Sequence, residues 1–184
     1  MTKLRATLSG IALSGALLAT AATPALADSM ATGTASHSAI AAVTKGQKLA
    51  KLKSLTDNSD ASSERWSAAL TQHLQHKHAI EQYKFNWKTD YCSKSPDTLP
   101  GGYTFKWACY RHDFGYRNYK ATVGNYYFRK DHKARIDKAF LRDMNGACNF
   151  KPWADPFPPA QRKQLKAACL RTAKKYYDAV VTLG

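Results

Sequence analysis

The chain lacks the Gly-x-Ser-x-Gly elbow that presents a serine nucleophile, which argues against a serine esterase or lipase. It has no Cys-x-x-Cys pair, so a zinc site has little support. No strand-like run and no internal repeat is visible, and the periodicity that exists is helical. The one marked apolar run, near Ile11 to Ala22, is too short to span a bilayer, and no second one follows. Acidic side chains are scarce: 13 Asp and Glu stand against 28 Lys and Arg, for a formal net charge of +15.

Lys3 and Arg5 precede that apolar run, and Ala25-Leu26-Ala27 closes it with small residues. This is the pattern of a secretory signal, and residues 1–27 are read as one, cleaved after Ala27. Without Lys3 and Arg5 the net charge is +13, which favours anionic partners such as nucleic acid or acidic lipid headgroups. Secretion makes disulfides the default state of Cys92, Cys109, Cys148 and Cys169. Four cysteines allow three pairings, and spacing alone does not choose among them. The 184 residues suit one domain with a modest core.

Residues 28–44, rich in Ala, Ser, Thr and Gly, read as a flexible mature N-terminus or propeptide, and the folded domain as 45–184. Lys45 to Leu55 predicts a short amphipathic helix, and Trp66, Leu70 and Leu74 a second one reaching about Tyr83. His73, His76 and His78 on it read as a solvated histidine face, since no carboxylate or cysteine accompanies them. Pro96, Pro100, Gly101 and Gly102 mark the stretch from Asn86 to Tyr103 as a loop. Helices are then predicted over Phe105–Tyr119, Asp131–Asn145 (closed by Gly146) and Ala160–Leu183. A turn-rich connector centred on Gly124-Asn125 joins the first two, and a proline-rich loop from Lys151 to Pro159 precedes the last. The expected fold class is all-α.

Phe105, Cys109, His112, Tyr116 and Tyr119 follow i,i+3/i+4 steps, which places His112 on the buried stripe of its helix. Asp137 shares a face with Phe140, Leu141 and Met144 on the next helix. A carboxylate placed there costs several kcal/mol, in order of magnitude, unless a partner satisfies it. The two helices should pack antiparallel across their short connector, and His112 is then the natural partner. Asp113 lies one turn after Cys109, and Asp90 lies two residues before Cys92. If Cys92 pairs with Cys109, two carboxylates and the loop's carbonyls converge, a setting that suits Ca²⁺.

The run WACYRHDFGYRNYK, with WKTDYC before it and ARIDKAF after it, resembles the secreted phospholipase A2 family of bacteria and fungi. The resemblance covers roughly Lys45 to the C-terminus. It implies a small disulfide-bridged helical fold with an antiparallel pair of catalytic helices, and Ca²⁺-dependent hydrolysis of the sn-2 ester of glycerophospholipids. His112 matches the general base and Asp137 the aspartate that orients it. Asp90, the Tyr91 carbonyl and Asp113 match calcium ligands, Tyr116 a supporting position, and Cys92–Cys109 and Cys148–Cys169 the two bridges. In the expected mechanism Asp137 accepts the His112 Nδ1–H, leaving Nε2 to activate water. The Asp90 segment carries no glycines, unlike the glycine-rich calcium loop of the animal enzymes, so the microbial branch is the closer match.

The implied protein is secreted and monomeric, and works on a phospholipid membrane or micelle surface with no nucleic-acid partner. Lys106, Arg111, Arg117, Lys120, Arg129 and Lys130, near Trp107, Tyr119, Tyr126 and Tyr127, are the candidate interface residues. A secreted basic metal-dependent nuclease and a non-enzymatic cationic membrane-disrupting protein are the alternatives.

Overall fold

Thr44 begins the first helix with a reciprocal cap: its hydroxyl accepts from the Gln47 N–H, and the Gln47 side chain accepts from the Thr44 N–H. The computed structural model describes residues 42–93, 95–150 and 156–184. The expected signal segment and nearly all of 28–44 lie outside the described residues, as does most of the Lys151–Pro159 loop. The elements are α1 (Lys45–Thr56), α2 (Asp60–Leu74), α3 (His78–Glu81), β1 (Thr98–Leu99), β2 (Tyr103–Thr104), α4 (Lys106–Tyr127), α5 (Lys133–Asn149) and α6 (Pro159–Leu183). A π-helical turn, Phe128–His132, joins α4 to α5. The chain is mostly helical, and no helix among the described residues is long and apolar enough to cross a membrane.

Several boundaries differ from the sequence expectation. The helix expected to reach Tyr83 ends at Leu74, because the chain turns at His76, which adopts φ 53°. His73 is not part of a solvated face. Its Nδ1 lies 2.6 Å from Glu81 Oε1, a carboxylate brought in by α3, and its ring stacks on Trp87. The loop after Asn86 contains a two-residue antiparallel hairpin, β1 with β2, too short to leave a periodic signal. Gly146, expected as a helix terminator, lies inside α5, where a Cβ would meet nothing within 4 Å.

Gly124 does break its helix. It takes φ 82° and ψ 162°, a conformation open essentially to glycine alone, and from there the chain reverses through the π turn into α5. The reversal makes α4 and α5 antiparallel: Tyr119 meets Arg135, Gly115 meets Ile136, His112 meets Asp137 and Arg111 meets Asp143. Gly115 sets the spacing, since a Cβ there would stand 3.1 Å from the Ile136 side chain.

α4 divides two apolar clusters. Phe114 and Tyr119 pack with Leu52, Leu55, Trp66, Ile80 and Phe128, while Phe105 and Cys109 pack with Phe140, Met144, Cys148 and Cys169. The disulfides are Cys92–Cys109 and Cys148–Cys169. The first ties the loop after α3 to α4, and the second ties α5 to α6. These features make a small disulfide-bridged helical fold, as the family resemblance implies.

The two glycines should therefore respond oppositely to alanine. Gly124→Ala should lose about 1–3 kcal/mol in urea unfolding, the cost of a side chain in that backbone region. Gly146→Ala should be neutral or gain up to about 1 kcal/mol, the helix-interior difference between the two residues.

Candidate active site

Three successive residues of α4 leave the helix about 100° apart and find three separate partners. Arg111 is 3% exposed and points into the protein. Its guanidinium donates to Asp143 Oδ2 at 2.7 Å, Leu55 O at 3.0 Å, Asp57 O at 2.8 Å and Ser62 Oγ at 2.9 Å. Burial pushes the Asp143 carboxyl up, and the Arg111 charge opposes that. Arg111 therefore does not belong to the interface set, and neither does buried Tyr119. Sequence type alone marks an arginine as exposed, and here four acceptors, from α1, α2, α5 and the α1–α2 junction, satisfy it inside.

His112 crosses to α5. Its Nε2 lies 3.1 Å from Asp137 Oδ1. The sequence expectation had the other ring nitrogen, Nδ1, facing Asp137. The distal nitrogen is the one that spans the gap between two helix backbones to a short aspartate. Nδ1 makes no hydrogen bond to a described residue, and the ring lies between Tyr116 and Phe140 at centroid distances of 4.1 and 4.6 Å.

Asp137 is 1% exposed. Its Oδ1 also accepts from the Tyr116 hydroxyl at 2.6 Å, and its Oδ2 from Lys133 Nζ at 2.8 Å. Burial pushes the carboxyl up, but the hydrogen bonds from His112, Lys133 and Tyr116 together outweigh it and hold the pKa below the ordinary value. Burial, and then the hydrogen bond to Asp137 and its charge, push the Tyr116 phenol far upward, so it stays a donor at any physiological pH. Sequence reading missed Lys133, although its i,i+4 spacing to Asp137 is a usable signal.

Asp113 turns toward the loop tethered by Cys92–Cys109. Its Oδ2 accepts from Thr89 Oγ1 at 2.9 Å and from the Asp90 N–H at 3.2 Å. Burial raises its pKa, and the neighbouring Asp90 charge raises it further against those two hydrogen bonds. Asp90 is held low, first by the hydrogen bond from Ser93 and also by Arg117, whose Nη2 sits 2.6 Å from Asp90 Oδ1 and 3.5 Å from Asp113 Oδ2. Tyr91 adopts φ 54°, a left-handed conformation costing a non-glycine residue about 1–2 kcal/mol. Among the described residues no three His, Cys, Asp or Glu side chains converge to hold a metal, so any cation here needs backbone carbonyls as well. A carboxylate of the strained loop, Asp90, beside one of α4, Asp113, forms an all-oxygen donor set, which fits a hard cation such as Ca²⁺.

His112, Asp113, Tyr91, Tyr116 and Phe140 border a groove of about 680 Å³, whose opposite wall is α6 through Tyr176, Ala179, Val180 and Leu183. Of the expected interface residues, Trp107, Tyr126 and Tyr127 are exposed. Lys106 lies 4.6 Å over the Tyr91 ring, Lys120 5.0 Å over Tyr116 and Lys130 5.9 Å over Tyr126.

The described residues thus form a disulfide-braced helical domain in which a buried His–Asp contact opens on a groove. A family model described as prokaryotic phospholipase A2 matches residues 62–184, and the chain belongs to that family. It is similar to a secretory phospholipase A2 of Beauveria bassiana, 36% identical over 83 residues, covering 45% of this chain and 42% of that protein. It is also similar to a secretory phospholipase A2 of Arthroderma benhamiae, 33% identical over 84 residues, covering 46% of this chain and 54% of that protein. The matches thus span about half the length of these relatives, or less.

The lowered pKa of Asp137 has a consequence for stability. A carboxyl whose folded pKa lies below its unfolded value of about 3.9 adds stability that is complete above that value. That stability disappears as pH falls through the folded pKa. Urea midpoints of the parent and Asp137→Asn should differ most at pH 7 and converge on acidification below about pH 4.

Proposed function

We propose that the protein is a secreted, calcium-dependent phospholipase A2 that hydrolyses the sn-2 acyl ester of glycerophospholipids by a His112–Asp137 dyad. The observation that carries this reading is the buried His112–Asp137 contact at 3.1 Å, with the ring edging an apolar groove, in a chain of this family. Secretion and action at a lipid surface follow the names of the two relatives and the net charge of +15.

Asp137 accepts the Nε2–H of His112 and fixes the tautomer in which Nδ1 is the base. Nδ1 takes a proton from water as the water oxygen attacks the ester carbonyl carbon. The same proton then goes to the glycerol oxygen as the acyl C–O bond breaks, releasing a fatty acid and a lysophospholipid. No acyl-enzyme forms. Tyr116 shares Asp137 Oδ1 with the histidine and holds the carboxylate in line. Asp90, Asp113 and the Tyr91 carbonyl are the groups that would hold Ca²⁺, which supplies positive charge for the substrate phosphate and the developing oxyanion. Lys106, Lys120 and Lys130 offer basic contacts to an anionic surface, each worth about 1 kcal/mol.

A phospholipid with distinguishable acyl chains tests the reading. Only the sn-2 chain should be released, EDTA should stop the release, and Ca²⁺ but not Zn²⁺ should restore it. Full activity in EDTA overturns the calcium assignment. His112→Ala should lose about 10³-fold in kcat, the scale of a general base, while circular dichroism stays that of the parent. A parental rate in that variant overturns the dyad.

A further inference from the structure

Lys133 opens α5 and stands one turn before Asp137 on the same face. Its side chain is 13% exposed, and its ammonium donates in three directions. Asp137 Oδ2 lies at 2.8 Å, Val180 O at 2.8 Å and Val181 O at 3.3 Å. An ammonium has three N–H donors and no acceptor, so this arrangement uses all of them. Both carbonyls belong to the last turn of α6, where intrahelical partners run short and the negative end of the helix dipole attracts a cation. That stretch of α6 is also a wall of the groove, through Tyr176, Ala179, Val180 and Leu183.

The carboxylate of Asp137 is therefore held at both oxygens by different elements. His112 and Tyr116 of α4 hold Oδ1, and Lys133 holds Oδ2. The terminal torsion of an aspartate is broad and two-fold, so a carboxylate fixed at one oxygen alone is free to swing. An ammonium on the second oxygen removes that freedom, and the same ammonium is anchored to α6.

We propose that Lys133 is a positioning residue that ties the last turn of α6 to the Asp137 carboxylate, so that the alignment of His112 depends on how the groove wall is seated. The proposal rests on the phospholipase reading for its kinetic part only. The i,i+4 geometry by itself would be a weak surface pair, and burial of the carboxylate together with the two α6 carbonyls sets this one apart.

Lys133→Met keeps the length of the side chain and removes its donors. On a soluble short-chain phospholipid it should lower kcat roughly tenfold and change KM less than about threefold. In an Asp137→Asn background the same change should lower the residual kcat less than about twofold, because Lys133 acts through that carboxylate. Amide hydrogen exchange across 176–184 should quicken in Lys133→Met while exchange in α4 stays at the parental rate. Should the methionine variant not fold, Lys133→Gln, which keeps an N–H donor and drops the charge, is read on the same scale. An equal loss of kcat in both backgrounds, or a lowered melting temperature with kcat unchanged, overturns the proposal. A parent that releases no fatty acid sinks the phospholipase reading alone, because the exchange comparison needs no substrate. Unchanged exchange across 176–184 sinks the tether.

Discussion

The carboxylate of Asp137 is the constraint on which the rest of the site depends. An ionised group with 1% exposure has given up its hydration, a penalty of several kcal/mol in order of magnitude that only well-placed donors offset. Three donors do so here, from His112, Tyr116 and Lys133, at 3.1, 2.6 and 2.8 Å. The donors sit on α4 and α5, and Lys133 is in turn held by α6, so the charge can be buried only when all three helices are assembled. Tertiary packing and the polarity of the site are in this sense one problem. Removing any donor leaves the buried charge only partly compensated, which costs more than the missing contact alone.

α4 solves a related problem with consecutive residues. Arg111, His112 and Asp113 leave the helix in three directions and join it to three different parts of the fold. Arg111 reaches the α1–α2 junction and Asp143, His112 reaches Asp137, and Asp113 reaches Thr89 and Asp90. One turn of helix thus aligns the His112 ring, the acidic loop and the structural core in a shared frame. A slip of one residue in the α4–α5 register would part Arg111 from Asp143 and His112 from Asp137. Gly115 is the local reason the register holds, because the Ile136 side chain fits against a position without a Cβ.

How much of this is legible in sequence depends on the range of the interaction involved. The His112–Asp137 contact is legible, since both residues interrupt apolar stripes at helical spacing and a buried acid needs a partner. The helix at α6 is legible for the same periodic reason. Boundaries set by single backbone conformations are less so: Gly124 and Gly146 are the same residue, and only the φ of 82° at Gly124 makes it a break. Arg111 reads as surface because the carbonyls that satisfy it come from residues more than fifty positions away. The choice of Nε2 over Nδ1 depends on the separation of the helices, which no spacing rule contains. Glu81 beside His73 has a similar origin, since the turn at His76 folds α3 back onto α2.

The acidic loop follows a different logic from the helix pair. Among its described residues regular structure is confined to the β1–β2 hairpin, Tyr91 is left-handed, and Asp90 is held near the Asp113 carboxylate of α4. Each of these features disfavours an ordered loop, and they are opposed by Arg117, by the Asn86–Asn118 hydrogen bonds and by the Cys92–Cys109 bridge. A bridge closing a loop of 17 residues removes about 3 kcal/mol of chain entropy from the unfolded state. That is enough to outweigh the backbone cost at Tyr91, and it lands one residue from the strain and one turn from Asp113. The covalent link therefore stands beside the left-handed residue and beside the two like charges of Asp90 and Asp113. The approach of the Asp90 loop to Asp113 is thus set by the fold itself, through the bridge and the hydrogen bonds that Asp113 accepts.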